Sequence, residues 1–204
     1  ELIGDNMWGL VESGSITKLI NKPKGLVIGD VRHSRKIFEL WSKSELEAIG
    51  IYEVEFDNTN KKDEQWYINT NQSFAFAGGK ITASYGSATA KKHADTLFTA
   101  QDETDGLGTE GEVKTRGLKY NLIQQIKKEA AGILQDTDWY IVRKADAGTA
   151  VPSSITNHRA AVRTKCAEME TAITNAADTP ALETLYTRNE NSVRPLGDLP
   201  RLDS

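Results

Sequence analysis

The sequence predicts an α+β fold: a small antiparallel β-meander with one short covering helix, then a helical hairpin and an extended C-terminal arm. Three observations predict it. Residues 51–85 contain short runs that alternate apolar and polar side chains, as half-buried strands do. Residues 113–135 and 152–176 instead repeat apolar side chains at the helical period. Residues 187–204 contain prolines, a glycine and few side chains to bury.

Changes in composition predict four segments along the 204-residue chain. They are a β-rich N-terminal domain at 1–86, an acidic, Gly-rich linker at 87–112, a helical hairpin domain at 113–186 and an extended tail at 187–204. The linker is predicted because hydrophobic periodicity is lost there, and because an acidic, Gly-rich run is typical of solvated chain.

The front of the chain is predicted to begin with a hairpin. An apolar run at 8–12 and an alternating run at 15–20 flank a Ser-Gly turn signal. Residues 1–6 resemble a leader in front of Met7, and the alternative that they are native stays open. A short buried strand, or a bridge into a loop, is predicted at 25–29.

A short helix and four strands are predicted next. Ser42 and Glu45 form a capping-box pattern that starts a helix, and Gly50 is placed to end it. The strands are predicted at 51–56, 65–68, 73–77 and 80–85, with the second paired to the first and a Gly-Gly turn between the last two. The helix is expected to cover one face, because so small a sheet needs cover.

Two amphipathic helices organise the second half. The first is predicted at 113–135, with an apolar face made of Leu118, Leu122, Ile123, Ile126, Ala130, Ile133 and Leu134. The second is predicted at 152–176, with Pro152 in its first turn and an apolar face made of Ile155, Val162, Cys166, Met169 and Ile173. A further short helix is predicted to open at Thr179.

The connector between the two helices is too apolar for a free linker. Within 136–148, Trp139 and Tyr140 are followed by Ile141 and Val142. Two interpretations stay open: Trp139 caps the core of the helical hairpin, or Trp139 and Tyr140 anchor a partner, since such rings dominate interface hot spots.

The C-terminal tail offers a second candidate contact. Four apolar side chains are spaced along an otherwise polar stretch: Val193, Leu196, Leu199 and Leu202. One interpretation is a free tail, and the other is an extended arm that lies in a groove of a neighbouring subunit.

No motif predicts catalysis, a cofactor or a metal. The chain lacks a Gly-x-Ser-x-Gly elbow, a His-Glu-x-x-His pair and a Walker loop. Cys166 lies on an apolar helix face and His33 among basic residues, so neither predicts a site. The acidic run at 101–112 lacks the spacing of a calcium loop. An enzyme without a recognisable motif, such as a hydrolase with two facing carboxylates, is the remote alternative.

Charge and hydropathy exclude two partner classes from the prediction. The formal net charge is -4, which argues against nucleic acid as the main partner. No apolar run approaches the ~18 residues of a membrane span, so no membrane partner is predicted.

The helical half resembles a known family. Leu-Gln-Asp-Thr-Asp-Trp at 134–139, Val-Pro at 151–152 and His-Arg-Ala-Ala-Val-Arg at 158–163 are similar to the C-terminal segment of bacteriophage tail assembly chaperones and tail-fibre assembly proteins. His158 stands where the family usually has Tyr. The resemblance extends over about Leu118 to Met169, and the front half resembles, more loosely, uncharacterised tail proteins of marine phages.

The resemblance implies association with a phage tail, and the family has no catalytic residue to transfer. We therefore expect a non-enzymatic virion component of the tail, fibre or baseplate that acts by protein–protein contact, with other tail proteins or a second copy of the chain as partners. The alternative is an assembly chaperone that shields fibre surfaces and is not retained. Its expected location is the virion tail, or the host cytoplasm during assembly. The expected contact residues are Trp139, Tyr140, Arg159, Arg163, Val193, Leu196, Leu199 and Leu202.

Overall fold

The computed structural model describes residues 7–202, so the predicted leader at 1–6 lies outside the described residues. The chain has a strand-rich front and a helical back, which confirms the α+β prediction. It divides into two compact units, Glu1–Thr89 and Ala90–Ser204. The boundary therefore lies at the start of the segment predicted to be a linker.

The first unit contains eight strands and two short helices among its described residues. They are β1 (Trp8–Glu12), β2 (Ser15–Ile20), β3 (Leu26–Ile28), β4 (Val31–His33), α1 (Ile37–Leu40), α2 (Lys43–Ala48), β5 (Ile51–Asp57), β6 (Tyr67–Ile68), β7 (Ser73–Ala77) and β8 (Lys80–Ser84). A two-residue strand, β9 (Thr89–Ala90), spans the boundary with the second unit.

A five-stranded sheet with the order β2-β1-β5-β8-β7 organises this unit. The predicted hairpins β1–β2 and β7–β8 are both present and antiparallel. The edge strands β2 and β7 contact each other, so the sheet curls toward closure.

The prediction of a continuous antiparallel meander is wrong. β5 pairs in parallel with β8 and antiparallel with β1. The predicted partner strand at 65–68 does not pair with β5, because its strand residues Tyr67–Ile68 form β6, which pairs with β9. Trp66 and Tyr67 are buried instead. Alternation along β5 determines which side chains share a face, but it carries no information about which strand lies beside it.

Apolar side chains cover both faces of the sheet. On one face, α1, α2 and β3 complete a core that contains Trp8, Leu10, Ile20, Leu26, Ile37, Leu46 and Ile51. On the other, Val54, Ile81 and Ala83 are packed against partly buried aromatic and aliphatic side chains. The capping box at Ser42 and Glu45 and the left-handed Gly50 (φ 82°) are as predicted.

The second unit is mainly helical. Its elements are β10 (Thr96–Leu97), α3 (Ala100–Thr104), β11 (Val113–Thr115), α4 (Leu118–Gln135), α5 (Asp138–Ala147), α6 (Ser153–Asn175) and α7 (Thr179–Tyr186). Thus the first predicted helix starts at Leu118 rather than Val113, because Val113–Thr115 pairs with β10 as a strand.

Residues 87–112 contain local structure where the sequence predicted a solvated linker. Thr99 and Asp102 form a capping box that starts α3, and Lys114 on β11 lies 2.6 Å from the Asp102 carboxylate. The hydrogen bonds from Lys114 and from the Thr99 backbone lower the pKa of Asp102 to about 2. A carboxyl pKa that is lower in the folded than in the unfolded chain stabilises the fold at pH values above the ordinary carboxyl pKa. This contribution is lost as the pH falls toward 2.

The packing of α4 against α6 forms the core of this unit, as predicted. All five predicted apolar positions of α6 are buried, and α4 buries Leu122, Ile126, Ala130 and Ile133. The predicted connector, however, is largely a helix: α5 runs for ten residues and ends at the left-handed Gly148 (φ 69°). The hairpin is therefore a three-helix arrangement, joined at its C-terminal end by α7.

Replacing Gly117 with Ala should destabilise the second unit by about 2 kcal/mol. A Cβ atom at Gly117, the N-cap of α4, would lie 2.7 Å from the His93 carbonyl oxygen and still closer to the Ala94 carbonyl. That backbone cannot easily move away, because the N–H groups of Leu118 and Lys119 donate to the carbonyls of Lys92 and His93.

The matched control is Gly132→Ala on the same helix. A Cβ there meets nothing within 4 Å, so the higher helix propensity of Ala should stabilise the protein by about 0.5–1 kcal/mol. Chemical denaturation measures both variants. Equal effects of the two substitutions would contradict the packing at Gly117.

Candidate partner-binding site

Helix α5 buries none of its side chains, although it carries four consecutive apolar or aromatic residues. The exposed fractions are 51% for Trp139, 44% for Ile141 and 65% for Val142. An exposed tryptophan beside exposed β-branched residues marks a contact surface more often than a core element. The exposure also argues against the interpretation in which Trp139 caps the hairpin core.

Three side chains on α5 form a stack. The rings of Trp139 and Tyr140 lie with their centroids 3.8 Å apart, and the Arg143 guanidinium carbon lies 4.7 Å and 5.4 Å from these centroids. Cation–π attraction of this kind fixes ring orientation. Fixed rings lose little side-chain entropy when a partner binds, which favours affinity.

An open cleft of about 320 Å³ lies beside the stack. The cleft is lined by the C-terminal end of α4, the start of α5, the first turns of α6 and the C-terminal segment. The lining residues are Ile133, Asp136, Thr137, Trp139, Tyr140, Ile155, His158, Arg201 and Leu202. The lining therefore combines aliphatic and aromatic side chains with one carboxylate, that of Asp136, and one guanidinium, that of Arg201. A shape of this kind can take an apolar side chain flanked by polar groups.

Arg159 is buried and holds the helices around the cleft. Its Nη1 donates to the Leu134 carbonyl and to the Thr137 hydroxyl, each at 2.7 Å, and its Nη2 lies 2.8 Å from the Asp138 carboxylate. One guanidinium thus joins α6 to the end of α4 and the start of α5. The hypothesis that Arg159 contacts a partner is not supported by this position, because only 8% of the residue is exposed.

The C-terminal segment folds back on the second unit instead of extending as a free tail or arm. Leu196 is 2% exposed, and its N–H donates to the Leu185 carbonyl. Asp198 pairs with Arg188 and Arg194, and both guanidinium groups lower the pKa of its carboxyl, Arg188 most strongly. Leu196 is therefore a core residue, which corrects its prediction as a contact.

The predicted contact residues other than the buried Arg159 and Leu196 separate into two groups. Trp139, Tyr140 and Leu202 line one cleft, although they are distant in sequence. Val193 is exposed and Leu199 half-buried on the folded-back segment, while Arg163 is exposed on α6 outside the cleft lining. The sequence interpretation missed Arg143, His158 and Arg201 as site residues. Arg143 follows Tyr140 by three positions and Trp139 by four, a spacing that would have indicated contact had α5 been recognised as a helix.

Other site chemistries have no support within residues 7–202. No group of three or more His, Cys, Asp or Glu side chains is arranged to hold a metal ion in this part of the chain. Cys166 is buried, and burial is the main cause that raises the pKa of its thiol. None of the helices described is both long and apolar enough to cross a bilayer.

Comparison with known proteins adds no identity. Neither family models, nor curated proteins, nor solved structures give a match to this chain. The cleft and its aromatic stack are thus the features on which a functional argument rests.

Proposed function

We propose that this chain is a non-enzymatic bacteriophage tail protein that acts by protein–protein contact as a component of the virion tail, fibre or baseplate. One observation carries the contact role: α5 presents Trp139, Ile141 and Val142 to solvent, next to a cleft lined by Trp139 and Tyr140. The association with a tail rests on the resemblance at 134–139, 151–152 and 158–163.

The geometry favours a contact role over catalysis. The cleft lining contains one carboxylate, that of Asp136, and the Thr137 hydroxyl is hydrogen-bonded to the Leu134 carbonyl and to Arg159. Asp138, the nearest other carboxylate in sequence, pairs with Arg159. A glycosidase-like pair of facing acids therefore has no counterpart in this cleft.

The partners in this proposal are other tail proteins, and the location is the virion tail. An assembly chaperone would use the same surface in the host cytoplasm and leave when the fibre is complete. The two roles require the same physical feature, an apolar surface that binds an otherwise exposed partner. They differ in whether the chain stays on the particle.

Immunoblotting of gradient-purified particles and of the infected lysate tests the proposal. A structural component is expected to co-sediment with particles at a constant ratio to the major tail protein after a high-salt wash. Presence in lysate complexes with tail or fibre proteins, without retention on particles, would replace the structural role with the chaperone role. Absence from both fractions would contradict any tail function.

A further inference from the structure

The charges around the Trp139 cleft are unequal. Arg201 lines the cleft, and Arg143 lies against the rings of Trp139 and Tyr140, which also line it. The opposing charge is the single carboxylate of Asp136. A protein with a net charge of -4 thus presents more fixed positive than negative charge at this cleft.

Neither arginine is neutralised by its own chain within the described residues. Three other arginines of the second unit have carboxylate partners: Arg116 pairs with Asp95, and Arg188 and Arg194 share Asp198. The exposed Arg163 on α6 has no such pair among the described residues, but it lies outside the cleft lining. Arg143 and Arg201 form no such pair in residues 7–202, and the buried Nε of Arg143 has no hydrogen-bond acceptor there. A guanidinium without a partner at an apolar surface is ready to bind an incoming carboxylate.

We infer that the cleft binds an acidic segment of the partner, in which a large apolar side chain enters between Trp139 and Leu202 while flanking carboxylates face Arg201 and Arg143. This inference rests on the proposed contact function and adds the chemistry of the partner. A basic segment would place its cations beside two arginines, and like charges at an interface cost affinity. A purely apolar segment would leave both guanidinium groups desolvated without a counter-charge.

The cleft volume agrees with this occupant. About 320 Å³ is enough for one or two large side chains, but too little for a helix or a folded domain. The binding element is therefore a short extended segment or a protruding loop.

A peptide titration tests the inference. The probe is a blocked hexapeptide with a central Leu-Phe pair and two acidic residues on either side. The control peptide replaces each acid with its amide, which keeps size and hydrophobicity. Binding is followed by the indole N–H signal of Trp139, assigned by its absence in Trp139→Ala. The acidic peptide should give a saturable shift, with affinity about tenfold higher than that of the amide peptide and reduced by added salt.

Two variants separate the charge of the cleft from the charge of the whole surface. Arg201→Gln should weaken the acidic peptide about tenfold and leave the amide peptide unchanged. Arg163→Gln removes an exposed arginine outside the cleft and should change neither affinity. The inference would be overturned by any of three results: equal affinity for the two peptides, an affinity of Arg201→Gln for the acidic peptide equal to that of the wild type, or no shift of the Trp139 signal. Retention of the chain on purified particles would still support the proposed function in those cases, and its absence there would contradict that function separately.

Discussion

Replacing Arg159 with Ala should lower the free energy of unfolding by about 3 kcal/mol, because the guanidinium is buried and joins three helices through charged hydrogen bonds. The substitution removes charged hydrogen bonds to the Leu134 carbonyl and the Thr137 hydroxyl, each 2.7 Å long. It also leaves a cavity where α4, α5 and α6 meet. Circular dichroism should show a melting temperature reduced by roughly 10 °C.

Two control variants isolate the cause. Arg163→Ala removes an exposed arginine one helical turn further along α6, and its effect should stay within about 0.5 kcal/mol. Asp138→Asn removes only the ion pair with a carboxylate that is 56% exposed, and should cost less than about 1 kcal/mol. If the Arg159→Ala protein were as stable as the Arg163→Ala protein, the proposed stabilising role of the Arg159 hydrogen bonds would be contradicted.

Replacing Trp139 with Ala should weaken binding to the proposed tail partner by about thirtyfold or more, the effect of losing a hot-spot tryptophan. The same substitution should change the free energy of unfolding by less than about 1 kcal/mol, because half of the side chain is exposed and α5 buries no residue. The measurement is rebinding of purified variants to isolated tails that lack the chain, with a melting curve for each.

Val142→Ala is the matched control for Trp139→Ala. Val142 lies on the same helix and is 65% exposed, but it does not line the cleft. Its replacement should weaken binding far less than Trp139→Ala does, because Val142 belongs to the exposed surface of α5 but not to the cleft, and it should leave stability nearly unchanged. If Trp139→Ala instead lowered the melting temperature sharply and left binding intact, the core-cap interpretation of Trp139 would be correct.

The sequence predicts those parts of the fold that depend on local signals. The 3.6-residue apolar repeats place α4 and α6, and the Gly-Gly turn places β7 and β8, because each signal lies within a few neighbouring residues of the elements it specifies. The parallel pairing of β5 with β8 is not predictable in this way. It depends on the intervening chain returning to the same edge of the sheet, and no residue of β5 specifies that event.

Helix α5 is the element for which side-chain propensity gave the wrong expectation. Trp139, Tyr140, Ile141 and Val142 favour strands, so the pattern does not predict a helix. The helix nevertheless starts at Asp138, whose carboxylate pairs with Arg159. The burial of Arg159 had a visible signal, because it continues the apolar spacing from Ile155 to Val162, but its charge suggested a surface position.

The candidate site could be predicted only in part. Trp139 and Tyr140 were recognisable from composition alone, as aromatic residues in a polar-flanked connector. Their meeting with Leu202 depends on the C-terminal segment folding back, which Leu196 secures by burying its side chain. A spacing of apolar residues along a polar tail does not distinguish a folded-back segment from an arm that reaches another subunit.

The most direct test of the tail proposal is the number of copies of this chain per particle, counted by mass spectrometry with isotope-labelled peptides against the major tail protein. The particles are gradient-purified from a phage whose genome carries the coding sequence, as the proposal requires, with wild-type and Trp139→Ala versions in parallel. We predict a fixed copy number that is a multiple of three or six for the wild type, since tails and fibres are symmetric assemblies, and a reduced number for the variant at equal abundance in the lysate. A chain absent from particles and from every tail-protein complex in the lysate would contradict the proposal.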